Sequence, residues 1–162
     1  GTLAIDDYFA YNLAGATGAG LDVGVYFFSQ ATTEAEAVEE AEFVLDALGG
    51  IALSYPIAYD HERIYGIDGR ADSLTVEQMT ANARAFCDRV AQAGYIPMVY
   101  GNASDLARYA LDDLGDCGVW FAEYGVERPQ RNSGFSIWQY ANDGSVAGID
   151  TVVDLNIRLP RD

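Results

Sequence analysis

Segments with helical periodicity alternate with short β-rich apolar runs along most of this chain, and that alternation constrains the fold more than any other feature. Asp6 and Asp7 open a helix with Phe9, Leu13 and Ala16 on one side, ended by Gly18 to Gly20. Residues 23–28 form the first β-rich run. Thr32 and Thr33 then precede a second helix, with Val38, Ala41, Leu45 and Leu48 at helical spacing, closed by Gly49 and Gly50. Residues 57–60 read as a strand, 75–93 as the longest helix, 96–100 as a strand, 104–114 as a helix and 119–124 as a strand. The last third loses the alternation. Residues 135–140 and 152–157 look like strands with no helix between them, joined through the turn signal Asn142-Asp143-Gly144.

Strand–helix alternation predicts a parallel sheet with helices packed outside it, becoming antiparallel or closely connected near the end. Six strands are predicted, whereas a closed β/α barrel has eight and about 250 residues. Six strands leave edges at residues 23–28 and 152–157, both strongly apolar, and such edges invite pairing with another chain. The expectation is an open, covered sheet or a barrel lacking part of its wall. At 162 residues the chain fits one domain with a substantial core.

Charge removes whole classes of partner. Nine basic residues, all arginine, stand against 25 acidic ones, for a net charge of −16. That surface repels nucleic acid and anionic lipid, and no apolar run is long enough to span a bilayer, so neither nucleic acid nor membrane is an expected partner. Cys87 and Cys117 match no metal-ligand spacing and His61 cannot complete one with them, so no metal is expected. Cys87 lies beside the stripe Val76, Met79, Ala83, Phe86, Val90 and reads first as a buried thiol. A disulfide to Cys117 is the alternative, worth about 3–4 kcal/mol for a loop of that length.

The chemistry concentrates in Pro56-Ile57-Ala58-Tyr59-Asp60-His61-Glu62. Side chains alternate on a strand, so Asp60 and Glu62 share a face while His61 points away and reads as structural. Paired carboxyls where a strand runs out suit cleavage of a glycosidic bond. In a barrel the other strand ends would complete the site. They carry Tyr26, Phe28 and Ser29; Tyr100 and Asn102; residues 122–124, ending in Tyr124; Trp138, Gln139 and Tyr140; and Asp154 and Asn156. Aromatic faces for sugar rings, with amides and acids for hydroxyl and acetamido groups, fit a polymeric carbohydrate. A nucleotide is disfavoured, because no glycine-rich phosphate loop is present. Each residue also has a plainer reading: Tyr26, Phe28, Tyr100 and Trp138 as core, Asp154 and Asn156 as turn residues, and Glu34 to Glu42 as a solvated helix face.

The series from Gly20 to Ser29, Glu36-Ala37, Glu40-Ala41 and Pro56 to Glu62 resembles glycoside hydrolase family 25, the Chalaropsis-type lysozymes or N-acetylmuramidases. The resemblance continues through Ala85-Phe86-Cys87, Ala93 to Asn102, Trp120 to Tyr124, Trp138-Gln139-Tyr140, Gly144 to Ile149 and Val153 to Asn156. It implies an irregular, flattened β/α (TIM-like) barrel, here about six of the eight strands. It also implies hydrolysis of the β-1,4 bond between N-acetylmuramic acid and N-acetylglucosamine in bacterial peptidoglycan. On that resemblance Glu62 is the general acid and Asp60 orients or stabilises the substrate's own acetamido group as it attacks. Asp154 lines the groove, and no metal or organic cofactor is required.

Family members begin with a βαβ segment bearing a further acid, which has no counterpart here. Residues 1–162 are therefore expected to be a single catalytic domain truncated at its amino end. A missing segment or a wall-binding domain would be its partner, and the completed protein a monomer. The resemblance further implies a secreted or phage-released protein working at the cell wall. Two other readings stay open: a non-catalytic glycan-binding relative inactivated by truncation, and a hydrolase of another N-acetylated polysaccharide such as chitin.

Overall fold

The structure is a computed structural model that describes residues 2–131 and 133–159. Its elements run α1 (Phe9–Gly18), β1 (Val25–Phe28), α2 (Glu34–Leu48), β2 (Ile57–Asp60), α3 (Val76–Gln92), β3 (Pro97–Asn102), α4 (Ala103–Leu106), a 3-10 turn (Leu111–Leu114), β4 (Gly118–Ala122), β5 (Ile137–Gly144) and β6 (Val153–Arg158). The six strands form one sheet in chain order. Strands β1 to β5 pair in parallel and β6 returns antiparallel to β5. The sheet curls into a half-barrel, the irregular, partial barrel expected, and its free edges are the two anticipated ones, β1 and β6.

Strand alternation divides the buried residues between the two faces. Ile57, Tyr59, Val99, Val119, Phe121 and Trp138 join one core cluster with the apolar stripes of α2 and α3. Tyr59 and Phe86 anchor it, with ring centroids 5.2 Å apart. Ala58, Met98 and Ile137 form a smaller cluster on the opposite, concave face, with Tyr55 and Trp120 packed against them. Helices therefore cover the convex side and leave the concave side to hold a site.

The long helices start where their side chains can cap them. Thr33 and Thr75 accept the backbone N–H groups of Glu36 and Gln78, both at 3.3 Å. Glu42 and Arg89 then clamp α2 to α3 through two hydrogen bonds, at 2.6 and 3.0 Å. The buried stripe of α3 is the one read from the sequence, except that Val76 at its start is exposed.

Three segments depart from expectation. The buried side of α2 is Ala37, Ala41, Val44 and Leu48, and it includes Glu40, which the sequence assigns to a solvated face. Burial is tolerated because the Glu40 carboxylate accepts the Ser29 hydroxyl at 2.5 Å and the Gln30 N–H at 3.0 Å. The helix predicted over 104–114 is broken between α4 and the 3-10 turn. There Tyr109 is buried, Ala110 N–H donates to Thr80 Oγ1 at 2.9 Å, and Arg108 donates to the Asp72 carbonyl at 3.0 Å. Those tertiary bonds outweigh local helix propensity.

The turn expected at Asn142-Asp143-Gly144 is instead the end of β5. Two register shifts absorb the extra residues as bulges, and Gly144 packs so closely on Leu155 that any β-carbon there would collide with it. Cys87 and Cys117 are free thiols in the helix-covered core, Cys87 buried and Cys117 partly so.

Candidate active site

The site is built at the carboxyl ends of the parallel strands. Registered pairing sets Phe28, Asp60, Tyr100 and Trp120 side by side across β1 to β4, and Ala122, Gln139 and Asn156 across β4 to β6. These residues share the concave face with Ala58 and Met98. Glu62 follows two residues after Asp60, just past the end of β2, and is half-buried. Tyr26 sits two residues before Phe28 and is 65 % exposed at the open edge.

Aromatic and amide contacts stiffen this face. The Tyr100 and Trp120 rings meet edge to face at 4.8 Å, and Trp120 Nε1 donates to Asn156 Oδ1 at 2.7 Å. The Tyr100 and Tyr124 hydroxyls are 3.5 Å apart. A cavity of about 220 Å³ opens along Tyr26, Ala58, Met98, Trp120 and Asn156. On this face Asp60 Oδ1 and Gln139 Oε1 are buried acceptors without a hydrogen-bond partner. Buried unpaired acceptors are costly, and a ligand supplying N–H or O–H donors would satisfy both.

The acids sit in an unfavourable place for negative charge. Burial first, then the charges of Glu62 and Asp105, push the Asp60 carboxyl up to about 8. Glu62 is raised too, by burial and then by Asp105 and Asp154. Here burial leads for both groups, and Asp60, deeper in the site, takes the larger push. At neutral pH the pair holds a proton. Tyr100 and Tyr124 are also raised, burial leading in each, and the Glu62 charge contributes to both.

His61 lies outside this cluster, as alternation requires. It is 1 % exposed, donates through Nδ1 to the Ser29 carbonyl at 3.0 Å and sets Nε2 3.5 Å from Asp72 Oδ1. Its pKa is lowered, mainly by burial, so the ring is neutral and braces the end of β2.

Of the residues named from the sequence, Asp60, Glu62, Tyr26, Phe28, Tyr100, Tyr124, Gln139, Asp154 and Asn156 are brought to this face or its rim. Trp138 is not. It packs in the helix-covered core with Tyr140 at 5.8 Å, and its Nε1 donates to the Glu123 carbonyl at 3.0 Å. The ring belongs to the convex side because Gln139, its neighbour, takes the concave one. Trp120 occupies the place expected of Trp138. It lies two residues before Ala122, where its spacing from the strand end gives it away only once the register is known.

A carboxyl pair at strand ends, on an aromatic-lined concave face of a β/α half-barrel, defines a glycoside hydrolase type of site. The comparisons then narrow the class. The Glycosyl hydrolases family 25 model matches residues 1–149, and the chain belongs to that family. It is 30 % identical over 142 residues to an autolytic lysozyme of Clostridium acetobutylicum, covering 88 % of this chain and 41 % of that protein. Among solved structures, the CTP1L endolysin is 25 % identical with a TM-score of 0.79, over 98 % of this chain and 55 % of that one. A bacterial lysozyme from Streptomyces coelicolor is 26 % identical with a TM-score of 0.79, over 97 % and 76 %. The chain thus spans less than half the length of the autolytic lysozyme and about half that of the endolysin.

Proposed function

We propose that this chain is the catalytic part of a peptidoglycan hydrolase that cleaves the β-1,4 bond between N-acetylmuramic acid and N-acetylglucosamine. The observation that carries the reading is the proton-holding pair of buried Asp60 and half-buried Glu62 on a face with unpaired acceptors. Lysozyme and endolysin relatives supply the substrate class.

Glu62 is the general acid. It is the more accessible of the two carboxyls and lies beyond the strand end, where a bridging oxygen can reach it and solvent can reprotonate it. Its proton passes to the leaving oxygen as the bond from C1 to that oxygen breaks. The substrate's acetamido oxygen closes on C1, and Asp60 Oδ1 accepts the acetamide N–H. Positive charge developing on that ring favours ionised Asp60, which moves the shared proton toward Glu62 when it is needed. Water then opens the ring at C1, giving its proton to the Glu62 carboxylate and restoring the starting state. Tyr26, Phe28, Tyr100, Tyr124 and Trp120 offer faces to the sugars, while Gln139, Asn156 and Asp154 bond their polar groups. Such an activity places the protein at the cell wall, secreted or phage-released.

The exposed edge of β1 is where a further strand would pair, and residues 1–162 would then be one part of a larger catalytic barrel. Wall turbidity measured with this chain, with Glu62→Gln, and with a chain extended by a family-25 amino-terminal segment tests the reading. Clearing by the native or extended chain, lost in Glu62→Gln, supports it. Sedimentation with the wall without clearing by any of them points to a binding module.

A further inference from the structure

Glu62 lies past the end of the sheet, and its own peptide does not tie it down. Ladder pairing of β2 stops at Asp60 on both sides, and Glu62 makes no backbone hydrogen bond among the described residues. Loops at strand ends are ordinarily the mobile part of such a scaffold, whereas a general acid must hold its place. The peptide is held from further along the chain. Arg63, the next residue, folds back so that Nη2 donates to the Asp72 carbonyl at 2.5 Å. Arg108, just past α4, donates to the same carbonyl at 3.0 Å and to the Ala71 carbonyl at 3.3 Å. The preceding residue, His61, is buried with Nε2 3.5 Å from Asp72 Oδ1.

A closed turn fixes Asp72 in that position. Its N–H donates to the Gly69 carbonyl at 3.1 Å, and its Oδ2 accepts the Gly69 N–H at 2.8 Å. Glycine permits the approach, since a β-carbon at position 69 would crowd Asp72 Oδ2 at 3.0 Å. Ala71 is fully buried and seats the turn, while Arg70 Nη2 ties its other side to Glu36 Oε1 on α2 at 2.8 Å. We propose that Asp72 is a positioning residue for Glu62, fixing the peptide on both sides of that carboxyl. The inference rests on the proposed role of Glu62 as general acid. Asp72 acts through Arg63, whose side chain its carbonyl holds, and through the packing of His61. The carbonyl shared by Arg63 and Arg108 also joins the loop after β2 to the segment after α4, so that two neighbouring strand ends are held as one unit.

Asp72→Ala removes the acceptor for the Gly69 N–H and opens the turn that aims the carbonyl at Arg63, whereas Asp72→Asn keeps an acceptor there. On soluble peptidoglycan fragments Asp72→Ala is expected to lose about 10- to 100-fold in kcat with KM nearly unchanged, and Asp72→Asn to recover most of the loss. A dinitrophenyl glycoside of the same sugars separates positioning from folding, because its leaving group departs without a proton. On it the native protein and Asp72→Ala are expected to be equally fast. Equal losses on both substrates would overturn the proposal, since a loosened fold slows both alike. If the native protein cleaves no fragment, the functional reading fails, and amide relaxation still decides the role of Asp72. Order parameters of His61, Glu62 and Arg63 are expected at about 0.85 in the native chain and below about 0.6 in Asp72→Ala. Unchanged values would contradict the link. Should Asp72→Ala not fold, Arg63→Met, a change at an exposed side chain, removes the same bond to the Asp72 carbonyl and carries the same expectations.

Discussion

Asp60→Asn should make the protein more stable as it makes it inactive. Asp60 is 6 % exposed, and its carboxyl moves from an ordinary 3.8 to about 8 on folding. Between those values the folded state binds one proton more than the unfolded chain, so unfolding free energy falls as pH rises, by about 1.4 kcal/mol per pH unit. The stability is fully present below pH 3.8 and is lost as pH rises through about 8. From 3.8 to pH 7 the accumulated loss is about 4 kcal/mol. Asparagine has nearly the same shape and cannot ionise, so it recovers much of this. Allowing for relaxation around Glu62 and Asp105, the gain at pH 7 is about 2–4 kcal/mol, or roughly 5–10 °C in Tm. Urea unfolding of both proteins at pH 4, 5.5 and 7 checks it. The gap should be near zero at pH 4 and widen steadily. A gap that is constant with pH, or a variant less stable at pH 7, would refute the reasoning.

Other perturbations separate stability from chemistry. Ser29→Ala removes the hydroxyl that satisfies buried Glu40 and should cost about 1–3 kcal/mol in urea unfolding, with the loss growing as pH rises because Glu40, raised mainly by burial, is then ionised without its donor. Phe86→Ala empties the contact with Tyr59 and should cost about 3–5 kcal/mol by the same measurement. The two tryptophans should behave oppositely: Trp120→Phe should weaken binding of soluble wall fragments, read by calorimetry, with Tm little changed. Trp138→Phe should lower Tm through its lost bond to the Glu123 carbonyl and leave fragment affinity intact.

The parallel order of the sheet, its antiparallel last strand and the Asp60–Glu62 face were legible because they follow from periods of 3.6 and 2. What escaped depends on contacts far apart in sequence. Glu40 resembles its solvated neighbours until Ser29, eleven residues away, is found to donate to it. The Asn142-Asp143-Gly144 turn signal fails because Leu155 on β6 fits against Gly144, turning a local preference into a bulge. Trp138 and Trp120 differ only in the parity of their strand positions relative to the concave face, and register fixes that parity. The order of proton affinity in the pair also escaped, since burial, which leads it, has no signature in the spacing of two carboxylates.

The central claim is that Glu62 delivers a proton to the oxygen leaving N-acetylmuramic acid. Purified peptidoglycan digested by the native or amino-terminally extended chain, then reduced with borohydride and hydrolysed, identifies the sugar at each new reducing end. Muramitol should accumulate, and Glu62→Gln in the same chain should release it at least about 100-fold more slowly. Glucosaminitol in its place, or equal release by the variant, would contradict the account.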